Sequence, residues 1–449
     1  MKIKEKATEL SSVQLIVLFY LAAVVLSTVL LSLPIAHQKG VNWSFIDALF
    51  TAVSAISVTG LTVVSTADTF STTGTYILAF VLQFGGIGIM TLGTFIWLIM
   101  GKQIGMKERQ LISTDQNRGT LAGLVKLMRQ ILGLILLFEA IGTVILGLYM
   151  LKYYPTWQES FLQGFFASVS ATTNAGFDIT GNSLIPYAND YFVQTINMIL
   201  LILGAIGFPV LIELKDYLFQ RKEKVAYRFT LFTKVTTVTF FSLVVIGAAL
   251  IWLLELGNFM EGKTWDQALF YSLFQSVTTR NGGLATMDVS EFTLSTQLVL
   301  SLLMFIGASP SSVGGGIRTT TLAVAILSVV HFARGRKSVK VFGRELLSED
   351  ILKSFIVIFT ATALCGLAVV ILAATEPFSL TAIIFEVTSA FGTTGLTLGI
   401  TSELSTAGKC VIIFLMFVGR IGIISFLLML RGNVHVERYH YPKEQIITG

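Results

Sequence analysis

Residues 56–61 read Ile56-Ser57-Val58-Thr59-Gly60-Leu61, and three later segments of the chain are similar to them. These are Thr172-Thr173-Asn174-Ala175-Gly176-Phe177, Thr279-Arg280-Asn281-Gly282-Gly283-Leu284 and Phe391-Gly392-Thr393-Thr394-Gly395-Leu396. Each copy ends in a glycine followed by a large apolar residue. A ring of backbone carbonyls can strip and select a cation, and glycine lets the backbone approach the axis without a side chain in the way. The four copies therefore predict four quarters of one ring around an ion pathway.

The abundance of glycine offers a competing explanation. The chain contains 39 glycines, and membrane helices use glycine for close packing. A single copy of the segment would favour that explanation, whereas four copies at equivalent places favour the ring. The other positions vary between copies, so we expect only approximate fourfold symmetry.

The composition indicates a membrane protein. Hydrophobic residues make up 54% of the 449 residues and charged residues only 13%, about half the usual charged share of ~25%. The mean hydropathy is +0.78. These values predict a polytopic membrane protein. The first apolar stretch, 13–33, ends at Pro34 without a small-residue cleavage site and is interpreted as a retained helix. Cys365 and Cys410 lie in apolar stretches and are interpreted as lone thiols.

The positions of the basic residues predict an orientation. Most of the 31 Lys and Arg residues precede the first apolar stretch, follow the last one, or lie in three basic segments, 102–129, 215–234 and 334–353. The opposite loops carry only Lys39, Lys152, Lys263 and Lys409. This asymmetry places both termini and the three basic segments in the cytoplasm. Anionic membrane lipid explains the basic charge, so we expect no nucleic-acid partner.

The apolar stretches form four repeats of span, loop and span. The pairs of long stretches are 14–36 with 75–100, 127–151 with 191–214, 231–256 with 295–331, and 351–374 with 408–430. Each stretch between them is too short to cross a hydrocarbon core of ~30 Å. It can enter from outside and turn back only where protein or water surrounds it. The predicted fold is therefore an all-α polytopic membrane protein, with eight transmembrane helices and four re-entrant loops around a central ion pore.

The same pattern gives the domain organisation. We expect one ion-translocating domain over 1–449, with repeats at approximately 12–105, 125–220, 229–340 and 350–431. Residues 432–449 form a cytoplasmic tail. The cytoplasmic segments fall below the ~50 residues of the smallest usual domains. A regulatory domain, if one acts here, is therefore expected on a separate soluble subunit that docks on the basic segments.

The span 295–331 is too long for a single straight helix, which would measure ~55 Å. Its middle reads Gly307-Ala308-Ser309-Pro310-Ser311-Ser312-Val313-Gly314-Gly315-Gly316. Proline removes a helical donor and glycine has low helix propensity, so a break is predicted here. A small polar segment at mid-membrane, just below the ring, would be a natural gate. A plain kink or a tightly packed crossing is the alternative.

An arginine inside the last span is the second gate candidate. Inserting Arg420 at that depth costs about 2.5–3.5 kcal/mol on insertion scales, so it should face the interior and have a role. A fixed cation below a cation ring would be an electrostatic barrier. The alternative is a structural ion pair with one of four acids, Glu139, Glu213, Glu255 or Glu386. Arg318 and Arg280 carry the same ambiguity, and Arg318 could instead anchor the second half of the broken helix.

Together these motifs resemble the Trk/Ktr/HKT superfamily of potassium transporters. The resemblance rests on Ser57-Val58-Thr59-Gly60-Leu61, Thr173-Asn174-Ala175-Gly176-Phe177, the break in the third repeat and Gly419-Arg420-Ile421-Gly422. The short cytoplasmic segments, the length and the tail Tyr439-His440-Tyr441-Pro442 are most similar to the bacterial Ktr membrane subunit. The resemblance covers essentially the whole chain.

This resemblance implies a function and its parts. It implies potassium uptake, often sodium-stimulated, through a homodimer with one pore per protomer, and a cytosolic ring of RCK subunits that binds ATP or ADP. This chain itself would carry no cofactor. The filter carries over to the backbone carbonyls of Ser57, Val58, Thr59, Gly60, Thr173, Asn174, Ala175, Gly176, Arg280, Asn281, Gly282, Gly283, Gly392, Thr393, Thr394 and Gly395. The gate carries over to Gly307, Ala308, Ser309, Ser311, Ser312, Gly314, Gly315, Gly316 and Arg420. In plant relatives a serine at the position of Gly60 goes with sodium transport, so glycine favours potassium.

Other classes of function fit less well. An intramembrane enzyme needs a nucleophile with a base or a metal site, but His37, His331, His435 and His440 lie at span ends or in the tail. The motifs His-Glu-x-x-His and Gly-x-Ser-x-Gly do not occur in the sequence, so we expect no enzymatic activity. A conventional secondary transporter more often has inverted repeats and midplane carboxylates. A sodium or mixed sodium/potassium transporter, or a stoichiometrically coupled symporter, remains the alternative.

Overall fold

The computed structural model describes residues 12–41, 43–88, 123–219 and 227–430, together with the isolated positions 442, 444 and 446. It is mostly helical. The first two repeats contain α1 Ser12–Leu31, α2 Phe45–Ser57, α3 Thr66–Thr69, α4 Thr72–Gly86, α5 Leu124–Met150, α6 Trp157–Thr172, α7 Tyr191–Ala205 and α8 Phe208–Phe219. The other two contain α9 Leu231–Glu255, α10 Trp265–Thr278, α11 Leu294–Phe305, α12 Thr319–Ala333, α13 Ser348–Thr375, α14 Leu380–Gly392, α15 Thr406–Ile421 and α16 Ile423–Leu430.

Short elements connect these helices. Four are 3-10 turns, at Pro34–Ala36, Ile185–Tyr187, Val289–Glu291 and Thr401–Glu403. A small antiparallel hairpin, β1 Lys340–Val341 and β2 Arg344–Glu345, lies between α12 and α13. The order of long helix, short helix, loop and further helix occurs four times along the described chain, with α2, α6, α10 and α14 as the short helices.

Four helices are long and apolar enough to cross a membrane: Val13–Leu31, Leu124–Met150, Leu231–Glu255 and Ser348–Thr375. Two bent pairs, α7 with α8 and α15 with α16, bring this number to six among the described residues. The predicted span 75–100 is described only in its first half, as α4, and its second half lies outside the described residues. The eight transmembrane helices expected from the sequence, one of them broken in its middle, are therefore not all present as single helices among the described residues.

Two of the predicted spans, 191–214 and 408–430, are bent pairs of helices rather than single helices. The chain turns by 104° between α7 and α8 and by 102° between α15 and α16. Each turn contains a glycine in the left-handed region, Gly207 with φ +101° and Gly422 with φ +88°. Such a conformation ends a right-handed helix, and glycine adopts it at little cost.

The break predicted in the span 295–331 is confirmed. Helix α11 ends at Phe305 and α12 begins at Thr319, and the chain between them contains Pro310 and four glycines. We call residues 307–316 the crossing segment. Ser311 and Gly316 within it have φ values of +54° and +73°, which no regular helix accommodates.

A hydroxyl residue precedes each short helix and sets where it begins. Ser44, Thr156 and Ser379 each accept a hydrogen bond from the backbone N–H three residues later. Thr264 forms a capping box with Gln267. Caps of this type stabilise a helix by about 1 kcal/mol each, because they satisfy N–H groups that the helix leaves free.

Packing joins distant parts of the chain around the short helices. One buried cluster combines α1, α2 and α4 with α13, α14 and α15, and so joins the first repeat to the fourth. The Lys409 Nζ donates to Asp47 Oδ1 over 2.9 Å at the same junction. The long helices expose large apolar side chains, such as Val25 on α1 and Phe359 on α13. A lipid environment accounts for these exposed faces.

Candidate functional site

The four predicted glycines meet in a closed ring. A Cβ atom added to each would lie against the neighbouring loop: 2.6 Å from the Ala175 carbonyl oxygen at Gly60, 3.0 Å from Gly283 Cα at Gly176, 2.4 Å from the Thr394 carbonyl oxygen at Gly283, and 2.1 Å from the Thr59 carbonyl oxygen at Gly395. Each loop thus contacts the next in chain order, and the fourth contacts the first. Real Cβ atoms essentially never approach as closely as those at Gly60, Gly283 and Gly395, and the approach at Gly176 is tighter than nearly all real contacts; all four residues also have a positive φ, which disfavours a side chain.

The ring has a second feature that the sequence analysis missed. The residue two before each ring glycine also has a positive φ: Val58 (58°), Asn174 (52°), Asn281 (73°) and Thr393 (51°). Asparagine adopts this conformation comparatively easily. Valine and threonine are β-branched, and holding such a residue there costs on the order of 1–3 kcal/mol. Asparagine at this place in two copies was the available sequence signal.

The short helices direct their C-termini at the ring. Helices α2, α6, α10 and α14 end at Ser57, Thr172, Thr278 and Gly392, each a few residues before a ring glycine. The C-terminal end of a helix carries a partial negative charge equivalent to about −0.5 elementary charge. Four such ends around one axis favour a cation at the ring.

Buried hydroxyl groups fix the loops to these helices. The N–H groups of Gly60 and Gly395 donate to Ser54 Oγ (3.1 Å) and Ser389 Oγ (3.0 Å). In the other two loops a hydroxyl donates to the carbonyl after the glycine, from Ser170 to Phe177 (2.5 Å) and from Thr278 to Leu284 (2.6 Å). These residues were not predicted from the sequence, although a serine precedes the glycine by six positions in three of the four copies.

The crossing segment finds hydrogen-bond partners in the second and fourth repeats. Its backbone N–H groups at Ser309 and Val313 donate to the carbonyls of Ala205 (3.1 Å) and Gly204 (3.3 Å). The N–H of Gly316 donates to the Gly419 carbonyl over 3.2 Å. Irregular backbone at membrane depth requires partners of this kind. The crossing segment is thus tied to α7 and α15.

The crossing segment also touches the third and fourth ring loops directly. The N–H of Gly315 donates to Thr393 Oγ1 over 2.8 Å. The Asn281 Nδ2 lies 2.6 Å from the same oxygen and donates to the Gly392 carbonyl over 2.6 Å. A Cβ atom at Gly314 would lie 2.4 Å from Asn281 Cγ. The predicted gate residues and the predicted filter residues therefore form one contiguous site.

A second set of glycines brings the further helices close to the short ones. A Cβ atom would lie 2.5 Å from the Ala55 carbonyl oxygen at Gly85, 2.3 Å from that of Thr172 at Gly204 and 2.0 Å from that of Phe391 at Gly419. The corresponding sequences are Gly85-Gly86-Ile87-Gly88, Gly204-Ala205-Ile206-Gly207 and Gly419-Arg420-Ile421-Gly422, with Gly307-Ala308-Ser309-Pro310 in the third repeat. The third and fourth copies were singled out in the sequence for other reasons, and the repetition itself was not predicted.

Arg420 bridges three repeats through backbone carbonyls. Its Nη1 donates to the carbonyl of Val313 in the crossing segment, and its Nη2 donates to the carbonyl of Gly85. The four acids considered as ion-pair partners accept hydrogen bonds from uncharged groups: Glu139 from Gln83 (2.8 Å), Glu213 from Thr230 (2.7 Å), Glu255 from Thr293 (2.8 Å) and Glu386 from Thr401 (2.5 Å). The guanidinium of Arg420 therefore ties the crossing segment to the first repeat.

The other two arginines point to backbone carbonyls as well. The Arg280 side chain is buried, and its guanidinium donates to the carbonyls of Leu303 and Ile306 (2.7 Å to the latter) at the end of α11. A cation there compensates the helix C-terminus. Arg280 thus contributes only its backbone to the third loop. Arg318 donates to the Gly314 carbonyl and so holds the crossing segment as well as the start of α12.

A cavity of about 100 Å³ lies beside the crossing segment. Arg318, Arg420, Ser311, Ser312 and Tyr20 are among the residues that line it. Two guanidinium groups at one cavity place positive charge beside it, and this charge opposes a cation there. The described site thus joins a ring that favours cations to a cavity that opposes them.

Comparisons with known proteins place the chain in a family. The TrkH family model, described as a cation transport protein, matches residues 11–436. Ktr system potassium uptake protein D of Bacillus subtilis is 60% identical over 441 residues, which cover 98% of this chain and 98% of that protein. Potassium/sodium uptake protein NtpJ of Enterococcus hirae is 32% identical, with 99% of each chain covered.

A solved structure has the same fold. The crystal structure of the potassium transporter TrkH from Vibrio parahaemolyticus matches with a TM-score of 0.70 at 21% identity, covering 92% of this chain and 84% of that one. These findings confirm the resemblance to the Trk/Ktr superfamily and agree with the expectation of a multi-pass membrane transporter that is not an enzyme. The chain therefore belongs to the TrkH family of cation transport proteins.

Proposed function

We propose that this chain is the ion-translocating subunit of a potassium uptake system, through which K⁺ crosses the cell membrane along a channel-like pore. The observation that carries the proposal is the closed ring of Gly60, Gly176, Gly283 and Gly395, each in contact with the next loop. Two relatives are named potassium uptake proteins of Ktr systems, at 60% and 35% identity. The short helices and their loops would be the re-entrant parts of the pore.

The proposed filter consists of the backbone carbonyls of residues 57–60, 173–176, 280–283 and 392–395. Carbonyl oxygens replace part of the hydration shell of the ion, and four helix C-termini add negative potential. The four buried hydroxyls of Ser54, Ser170, Thr278 and Ser389 hold the loops at fixed positions. A ring whose loops are held in this way supports selection by the number and spacing of the oxygens.

The proposed gate is the crossing segment together with Arg420. The segment lies against the third and fourth ring loops, and Arg420 holds it by the Val313 carbonyl. Opening moves the segment aside and draws Arg420 away from the path. Each of these contacts joins a side chain to a backbone group of the crossing segment, the Gly315 N–H in one case and the Val313 carbonyl in the other. Both can therefore break without a change in side-chain protonation.

The proposal extends to partners and orientation. We infer a homodimer, both termini in the cytoplasm, stimulation by sodium, and control by a cytosolic ring of RCK subunits that binds ATP or ADP. The relatives' names support a system of several proteins. We expect the partner to dock on the basic segments 102–129, 215–234 and 334–353. Within them, residues 102–122 and 220–226 lie outside the described residues.

The test is potassium uptake in cells that lack their own uptake systems. Expression of the chain with a candidate cytosolic subunit should restore uptake of K⁺ or Rb⁺ from low external concentrations, and excess Na⁺ should compete weakly. Equal uptake of Na⁺ would instead identify a mixed sodium/potassium transporter. Potassium accumulation driven by a sodium gradient alone, at a fixed ratio, would identify a coupled symporter. Either result would overturn the proposal.

A further inference from the structure

We propose that the hydroxyl of Thr393 couples the crossing segment to the ring, so that the potassium affinity of the ring depends on the position of the segment. This inference rests on the proposed function, because it assumes that the ring binds the transported ion. Thr393 Oγ1 accepts hydrogen bonds from the N–H of Gly315 (2.8 Å) and from Nδ2 of Asn281 (2.6 Å). One donor belongs to the crossing segment and the other to the third ring loop.

The backbone of Thr393 is the place where such a contact matters. Its φ is +51°, two residues before the ring glycine Gly395. A β-branched residue persists in this conformation only where its surroundings hold it. The Gly315 N–H is one of the groups that hold it. When the segment moves away, that support is lost and the fourth loop can relax.

The crossing segment packs closely against the fourth ring loop at this contact. A Cβ atom at Gly315 would lie 2.7 Å from Thr393 Oγ1, and one at Gly316 would lie 3.1 Å from Gly392 Cα. Thr393 and Asn281 are both fully buried. Displacement of the segment therefore removes one of the two donors to this buried hydroxyl and leaves the Gly315 N–H in need of a new acceptor. Through this lost contact, movement of the segment changes the geometry of the fourth ring loop in the proposed coupling.

The first loop provides an internal contrast. Val58 stands at the position equivalent to Thr393, with a φ of 58°, and has no hydroxyl to accept a bond. The Thr393 hydroxyl therefore lets the fourth loop respond to the position of the crossing segment, whereas the first loop has no such group. Coupling between two binding equilibria is reciprocal. If the segment alters ion affinity at the ring, an ion in the ring must alter the segment by the same factor.

A double-mutant cycle tests the coupling by the half-saturation concentration for potassium uptake. The four proteins are the wild type, Thr393→Val, a variant with a shortened crossing segment, and the combination. Loss of one buried hydrogen bond predicts a change of about two- to tenfold on shortening the segment in the wild-type background. Thr393→Val should shift the half-saturation concentration for potassium in the same direction as the shortened segment does. Shortening the segment in the Thr393→Val background should then cause little further change.

Two further variants control this measurement. Thr388→Val makes the same substitution on α14, where the Thr388 hydroxyl donates to two carbonyls of the same helix, those of Ile384 (2.9 Å) and Phe385 (3.0 Å). Shortening the crossing segment should have the same effect in this variant as in the wild type. Thr393→Ser keeps the hydroxyl and should also preserve it. Equal effects of the shortened segment in the Thr393→Val and wild-type backgrounds would overturn the coupling, as would a Thr393→Ser variant that behaves like Thr393→Val.

A second measurement leaves the ring intact. Ser311→Cys, in a background with Cys365 and Cys410 replaced by alanine, places a thiol on the segment at the cavity. Because coupling is reciprocal, the rate at which this thiol is labelled in the presence of potassium should differ by about two- to tenfold from the rate in the presence of a large organic cation. Labelling that ignores potassium contradicts the coupling. A wild-type protein without selective potassium uptake contradicts the proposed function instead.

Discussion

Gly60 illustrates, at the scale of a residue, how little space the ring leaves. Its φ of +90° is costly for any residue with a side chain, and a Cβ atom would lie 2.6 Å from the Ala175 carbonyl oxygen. The cost of the positive φ depends on the backbone of residue 60 alone, whereas the clash with the carbonyl oxygen depends on the neighbouring loop. Gly40 separates them, because its φ is +87° and no atom lies within 4 Å of a Cβ built there.

We expect Gly60→Ser to reduce the preference for potassium over sodium by roughly tenfold or more, because strain of about 1–3 kcal/mol must be relieved by moving the carbonyls. Gly283→Ser should act in the same way. The measurement is Rb⁺ uptake with Na⁺ as competitor. Gly40→Ser serves as the control and should retain the preference. Unchanged selectivity in both ring variants would contradict the filter.

Arg420 raises a different question at the same scale, since its charge and its hydrogen bonds could act separately. We expect Arg420→Ala to raise flux by roughly tenfold, because it frees the Val313 carbonyl and removes a cation from the cavity. Arg420→Lys keeps the charge but loses the planar two-pronged donor. Flux near that of the wild type in Arg420→Lys would assign the barrier to charge. Reduced flux in Arg420→Ala at equal membrane levels would remove Arg420 from the gate.

At the scale of elements, the crossing segment is held by tertiary contacts rather than by its own structure. Its N–H groups donate to Ala205, Gly204 and Gly419. Because these partners lie in other repeats, a shortened segment cannot make all of these bonds. We expect deletion of part of 307–316 to raise flux and to reduce its dependence on a cytosolic subunit. Flux and the amount of protein in the membrane should be measured together. Intact protein with lower flux would support a structural kink.

The elements also show what the sequence could predict. Pro310 and the neighbouring glycines predicted the break in the third repeat because they act on the local backbone. The bends at Gly207 and Gly422 were not predicted, since a pair of glycines in an apolar run is also compatible with a closely packed membrane helix. The direction of the Arg280 side chain, toward the end of α11, depends on contacts with residues more than twenty positions away. Such contacts leave no local signal.

At the scale of the whole molecule, the ring exists only because distant parts of the chain meet. Gly395 in the fourth repeat contacts Thr59 in the first, and Lys409 joins Asp47 at the same junction. The repeated glycines predicted that four loops would be equivalent, but not which loop contacts which. The order of contacts, from each loop to the next, follows from the way the helices pack.

The last prediction concerns the soluble partner. The hairpin β1–β2 exposes Lys340 and Arg344 within the basic segment 334–353, and a short hairpin of this kind is stable only with support from its surroundings. We expect a cytosolic subunit to dock here. Flux in liposomes containing the purified chain alone should not respond to ATP or ADP, whereas flux with the subunit should. Charge reversal by Lys337→Glu and Lys340→Glu should weaken that response.

Lys39→Glu is the matched control for this charge reversal, because Lys39 is also exposed but belongs to a loop that the proposed orientation places on the opposite side of the membrane. It should leave the nucleotide response unchanged. Salt provides a second check, since attraction between exposed charges is screened over about 8–10 Å at physiological ionic strength. Docking should therefore weaken as salt rises. Nucleotide-dependent flux from the isolated chain would place the sensor within it, and an equal loss of response in Lys39→Glu would show that the basic surface at the hairpin is not the docking site.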